Sequence, residues 1–141
     1  MSAPTPHRAN VPGDFYVEDG CCTMCGVPFG EAPELFGQCD DSRGYMHCFV
    51  KRQPQTTSEL SDMLSALQFS EFECIRYRGT DRLIQLKLVE LNCGEACDHL
   101  PTDLQQRVNR DVWKRRGFLA GLWAELGFGR APEKPWWKFW R

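Results

Sequence analysis

The spacing of apolar residues changes along the chain, and each change predicts an element. Asp14-Phe15-Tyr16-Val17-Glu18 is an aromatic and β-branched run between Gly13 and Gly20, which predicts a strand. Ala32-Pro33-Glu34-Leu35-Phe36, with proline in the first turn and Gly37 as a stop, predicts a short helix. Gln38 to Gly44 is polar and reads as a loop, and Tyr45 to Gln53 predicts a second strand ended by Pro54. On that strand Met46, Cys48 and Val50 share one face, and His47 points the other way. Thr56-Thr57-Ser58-Glu59 is a capping box, in which the Thr56 hydroxyl and the Glu59 carboxylate satisfy each other's orphan N–H groups. Leu60, Met63, Leu64 and Leu67 follow at helical spacing. Phe72 to Arg78 predicts a third strand, closed by Gly79. In residues 81–91 the spacing of Ile84, Leu88 and Leu91 favours a helix over the alternation of Ile84, Leu86 and Leu88. A second capping box, Thr102-x-x-Gln105, leads into Leu104, Val108, Val112, Leu119, Leu122 and Leu126. One long or two short amphipathic helices are predicted there, ending at Gly127 or Gly129. Pro132 and Pro135 then leave an extended tail.

This pattern gives an α+β body over residues 11–80, a helical extension over 81–129 and a tail over 130–141. Residues 1–10 are polar, with proline and serine, and are expected to be disordered. A length of 141 residues suits one domain with an extension. The N-terminal stretch has no apolar core of the kind a secretory signal needs, and no apolar run nears the roughly 20 residues of a membrane span. The expected location is the cytoplasm. Net charge is −2, but it is unevenly spread. Residues 1–100 carry 8 basic and 15 acidic side chains, a net of −7, whereas residues 101–141 carry 9 and 4, a net of +5. An acidic body is not an obvious nucleic-acid binder, and no nucleic-acid partner is expected.

The chain holds 8 cysteines: Cys21, Cys22, Cys25, Cys39, Cys48, Cys74, Cys93 and Cys97. In a reducing compartment, clustered cysteines more often bind metal or do redox chemistry than form structural disulfides. Cys22-x2-Cys25 can aim two thiolates at one metal, and Cys93-x3-Cys97 is a looser pair. Isolated Cys39, Cys48 and Cys74 read equally well as small buried apolar residues. No nucleophile elbow, phosphate-binding glycine loop, dinucleotide fingerprint or zinc-protease helix occurs, so the chain is not read as an enzyme. A dithiol–disulfide cycle at Cys22-x2-Cys25 is the best enzymatic alternative, but Pro28-Phe29-Gly30 makes a poor helix start behind it.

Residues 11–80 resemble single-cluster bacterial-type ferredoxins. The resemblance rests on Gly13-Asp14-Phe15-Tyr16-Val17, Cys22-x2-Cys25-Gly26, Glu31-Ala32-Pro33-Glu34-Leu35-Phe36, Val50-x-Arg52-Gln53-Pro54, the acidic helix 57–68 and the strand with Ile75-Arg76. It implies a small, pseudo-symmetric ferredoxin-like sheet with two helices, an iron–sulfur cluster and electron transfer to a redox partner. Cys22 and Cys25 match the first two ligand positions, whereas Pro28 and Ser70 stand where the family places its third and fourth cysteines. An ordinary four-cysteine site is therefore not encoded.

Three arrangements follow. A rearranged iron–sulfur site would use Cys22 and Cys25 with recruited Cys21, Cys48 or Cys74. A zinc site would draw on Cys21, Cys22 and Cys25, with His47 or His99. Alternatively the fold carries no metal and serves as an interaction module. Cys74, four residues past the lost ligand, is about 13 Å away along an extended strand and needs rerouting to reach the site. Trp136, Trp137, Phe139 and Trp140, beside Lys138 and Arg141, suit an anchor for a partner protein, a cover for the chain's own core, or weak contact with a membrane surface.

Overall fold

The computed structural model describes residues 3–40 and 44–127. The elements are β1 (Phe15–Val17), α1 (Val27–Glu31), β2 (Phe36–Asp40), β3 (Met46–Val50), α2 (Thr57–Phe69), β4 (Ile75–Tyr77), α3 (Arg82–Glu90), a single 3₁₀ turn (Gly94–Ala96) and α4 (Thr102–Glu125). The architecture is α+β with two small antiparallel sheets. β1 pairs with β4, Phe15 opposite Tyr77 and Val17 opposite Ile75. β2 and β3 form a hairpin, Phe36 opposite Val50 and Cys39 opposite His47.

The second edge of β1 lies beside β3, and side-chain amides complete its hydrogen bonds. Asn10 Oδ1 accepts from the N–H groups of Val17 (3.1 Å) and Val50 (2.9 Å), and Asn10 Nδ2 donates to the carbonyls of His7 and Val17. The Gln53 amide in turn accepts from Phe15 N–H and donates to Phe15 C=O. A strand edge with unpaired backbone groups is thereby closed without a further strand. Gly13 makes room for this clasp. Its φ is +150°, and a Cβ there would fall 2.3 Å from the Gln53 side chain.

Phe15, Val17, Leu35, Phe36, Val50, Met63, Leu67, Ile75 and Tyr77 form the core. Met63, Leu64, Ala66 and Leu67 are the buried face of α2, as their spacing predicts. The Thr56 hydroxyl accepts from Glu59 N–H at 3.1 Å, but the Glu59 carboxylate reaches one residue further back, to Gln55 N–H at 3.0 Å. That bond and Arg52 at 2.9 Å hold the Glu59 carboxyl below its usual range, so its contribution is present at neutral pH and is lost on acidification. Thr56→Ala should lower stability by about 1 kcal/mol in urea unfolding.

Residues 82–100 belong to the same core, through Leu88, Ala96 and Cys97. The Tyr16 hydroxyl and Arg76 Nε (2.8 Å) both bind the Asp98 carboxylate, tying the extension to β1 and β4. Burial, followed by that bond to Asp98, pushes the Tyr16 phenol up to about 12. Leu104 and Val108 of α4 pack on Val89 of α3, and Trp113 and Phe118 further along α4 are exposed.

Three expectations are corrected. The short helix is Val27–Glu31, because left-handed Gly26 turns the chain and Pro28 sits in the first turn. Leu35 and Phe36 are instead buried as the chain enters β2. The stretch from Gln38, read as a loop, lies in β2 as far as Asp40, its polar residues being the exposed face of a strand that has only one neighbour. Residues 5–10 are packed rather than disordered: His7 is 3% exposed, its N–H donates to Val17 C=O, and Asp19 N–H donates to Thr5 C=O. Residues 128–141, with Trp136, Trp137, Phe139 and Trp140, lie outside the described residues.

Candidate metal centre

The cysteine loop leaves β1 at Gly20, and left-handed conformations at Gly20, Met24 and Gly26 fold it back toward β3. Three backbone features bring sulfurs together. First, Glu18 N–H donates to Cys74 C=O at 2.8 Å, extending the β1–β4 ladder by one rung and setting Cys74 beside the start of the loop. Cys21 and Cys74 are joined there as a disulfide. Second, Cys48 on β3 turns its N–H to Cys22 Sγ at 3.3 Å. Third, Cys22 Sγ, Cys48 Sγ and a ring nitrogen of His47 lie within 4.8 Å of one another. Two sulfur pairs, Cys21 with Cys74 and Cys22 with Cys48, thus start from neighbouring residues of the loop. Cys48 and Cys74 are buried, Cys21 and Cys22 half-buried, and Cys25 exposed at the rim.

Two expectations about direction change here. Cys74 precedes β4 rather than lying within an extended run. α2 ends at Ser70 and residues 71–73 bend, so the path is rerouted and the thiol reaches the loop. His47 does not face solvent, since the N-terminal segment covers it: His7 and His47 stack with ring centroids 4.1 Å apart, and both are 3% exposed. The disulfide pairs Cys21 with Cys74 rather than Cys22 with Cys25.

The donor set identifies which atoms suit a metal. His47 Nε2 accepts from Gly20 N–H at 3.1 Å, which assigns the proton to Nδ1, and Nδ1 faces Cys48 C=O at 2.7 Å. Both nitrogens are occupied, so His47 fixes the loop and the Cys48 carbonyl rather than offering a lone pair. His7 Nδ1 likewise accepts from Ala9 N–H at 3.2 Å, leaving Nε2 protonated and 4.0 Å from Asp19. His7, Asp19 and His47 lie within 4.8 Å of one another, yet this set reads as a hydrogen-bonded support. The thiols remain the candidate ligands. Burial, and then the neighbouring Cys22 sulfur, raise the Cys48 thiol above its ordinary range. A soft metal bound beside Cys48 would offset the charge of its thiolate.

The other cysteines stand apart. Cys97 is buried and pushed up to about 11, and Cys93 is raised by burial as well. Cys39 is half-buried on β2. The sequence reading missed Asn10, His7 and the partnership of Cys21 with Cys74. No protein-family model matches the chain, and neither a curated protein nor a solved structure is detectably similar to it. No described helix is long and apolar enough to cross a membrane.

Proposed function

We propose that this protein is a divergent ferredoxin-like electron carrier that holds an iron–sulfur cluster on Cys21, Cys22, Cys48 and Cys74 in their dithiol state. Cys25 is exposed to solvent. The observation that carries this reading is the approach of the Cys22 and Cys48 sulfurs, with the Cys21–Cys74 pair starting at the next residue of the loop. Soft thiolates in that number suit iron–sulfur or zinc rather than hard cations. Cys21 and Cys22 are chain neighbours, and a polynuclear cluster accepts adjacent ligands more readily than one tetrahedral ion. The Cys48 N–H aimed at Cys22 Sγ is the kind of bond that tunes a cluster's potential. Two two-stranded sheets, with the first strand beside the last, are consistent with the small pseudo-symmetric core that the resemblance implies. When bound, the cluster would supply one-electron chemistry. Cys48 and Cys74 are buried, and Met24 and Cys25 of the loop face solvent. A body of net charge −7 favours encounter with a basic protein partner.

Protein purified under reductant without oxygen should be brown and carry iron and acid-labile sulfide in equal amounts. Colourless protein with stoichiometric zinc, or with no metal after cluster reconstitution, overturns the cluster reading.

A further inference from the structure

We propose that α4 is a docking helix for an anionic lipid surface, a role independent of the metal centre. The helix spans 24 residues, and only its first turns pack on the body. Leu104 and Val108 bury against Val89 of α3, whereas no side chain of residues 109–118 is buried. Val112, Leu119 and Leu122, and Leu126 just past the end of α4, continue the three- and four-residue spacing of Leu104 and Val108. The apolar stripe therefore outruns the protein surface that covers its start. Trp113 and Phe118 add large apolar groups to the same stretch and are 69% and 72% exposed.

Charge selects the occupant. Residues 107–118 hold five basic side chains, Arg107, Arg110, Lys114, Arg115 and Arg116, and one acidic side chain, Asp111. Among the described residues none of the five is in an ion pair. Arg107, Arg110 and Lys114, three and four positions apart, run along one side of the helix. The Arg116 guanidinium lies 5.6 Å from the centre of the Trp113 ring. A cationic head beside an aromatic body suits the boundary between phosphate headgroups and acyl chains. The rest of the chain has the opposite sign. Residues 9–42 and 53–75 hold 7 and 4 acidic side chains and no basic one. An anionic surface repels that body and attracts α4, which sets the orientation of the encounter. A nucleic acid would neutralise the cations but leave the apolar stripe in water, whereas a lipid surface takes both.

The test uses the full-length chain and vesicles of phosphatidylcholine, alone or mixed with phosphatidylserine, read by co-flotation. Binding should require phosphatidylserine. It should weaken steeply between about 0.1 and 1 M salt, as the screening length shrinks from about 10 to 3 Å. The triple variant Arg110→Glu, Lys114→Glu, Arg115→Glu changes three exposed positions and keeps Leu104 and Val108. It should lower partitioning by at least about 100-fold, with helix content and urea midpoint unchanged. Trp113→Ser with Phe118→Ser should lower it by about 10-fold. Equal binding to vesicles with and without phosphatidylserine overturns the proposal, as does no binding to either. Full binding by the triple variant overturns it too, and moves the contact to residues outside α4. A parent chain that ignores vesicles but retains duplex DNA or polyglutamate, and loses them in the triple variant, assigns α4 to another class of partner.

Discussion

Cys22→Ser should empty the metal centre while leaving the fold in place. Protein purified under reductant should lose iron and sulfide by upward of about 100-fold, beyond the 10–100-fold that losing an outer-shell partner typically costs. The reason is position. Cys22 receives the Cys48 N–H, its sulfur lies within 4.8 Å of the Cys48 sulfur, and it sits next in the chain to Cys21. Serine keeps the size and can still accept that hydrogen bond, but its oxygen is a harder donor that stays protonated at neutral pH. The residue is half-buried, so the unfolding midpoint of the metal-free protein should stay within about 0.5 kcal/mol of the parent. Cys97→Ser is the control. Cys97 packs in the core beside Leu88 and Ala96, and its replacement should cost stability without changing metal content. Metal analysis together with urea unfolding separates the two behaviours. Equal metal loss in both variants, or none in Cys22→Ser, contradicts the ligand assignment.

Asn10→Ala should destabilise the protein by about 2–4 kcal/mol. One side chain makes four hydrogen bonds, to His7, to Val50 and twice to Val17. Val17 and Val50 are fully buried, so their N–H groups would be left without a partner away from water. The loss should reach the metal centre as well. Asn10 Nδ2 holds the His7 carbonyl, the His7 ring stacks on His47, and His47 accepts from Gly20 at the head of the cysteine loop. Urea unfolding should show the stability loss, and amide exchange at Val17 and Val50 should speed up with it. Asn10→Asp keeps the oxygen acceptor but not the donor, and should recover part of the stability.

Much of the fold was legible because local signals and final environment agree. The α2 stripe of Met63, Leu64 and Leu67 is its buried face, and Asp81 caps α3 where the helical spacing begins. The parts that were not legible depend on contacts between distant positions. β2 carries Gly37, Gln38 and Asp40, whose polarity reflects an exposed face, and its pairing with β3 leaves no local signature. The N-terminal segment is polar and short, and its order comes from Asn10 filling a strand edge that no sequence window reveals. The candidate site was half legible. The crowding of Cys21, Cys22 and Cys25 marked the loop, whereas Cys74 lies 53 positions from Cys21 and joins it only because β1 and β4 are paired. His47 was assigned to the face of β3 opposite Cys48, and the His7 ring covers it there.

X-ray absorption at the metal edge of the reduced, metal-loaded protein measures the ligand atoms themselves. Four sulfur scatterers per metal is the result predicted. A first shell dominated by nitrogen and oxygen would contradict a centre built on Cys21, Cys22, Cys48 and Cys74.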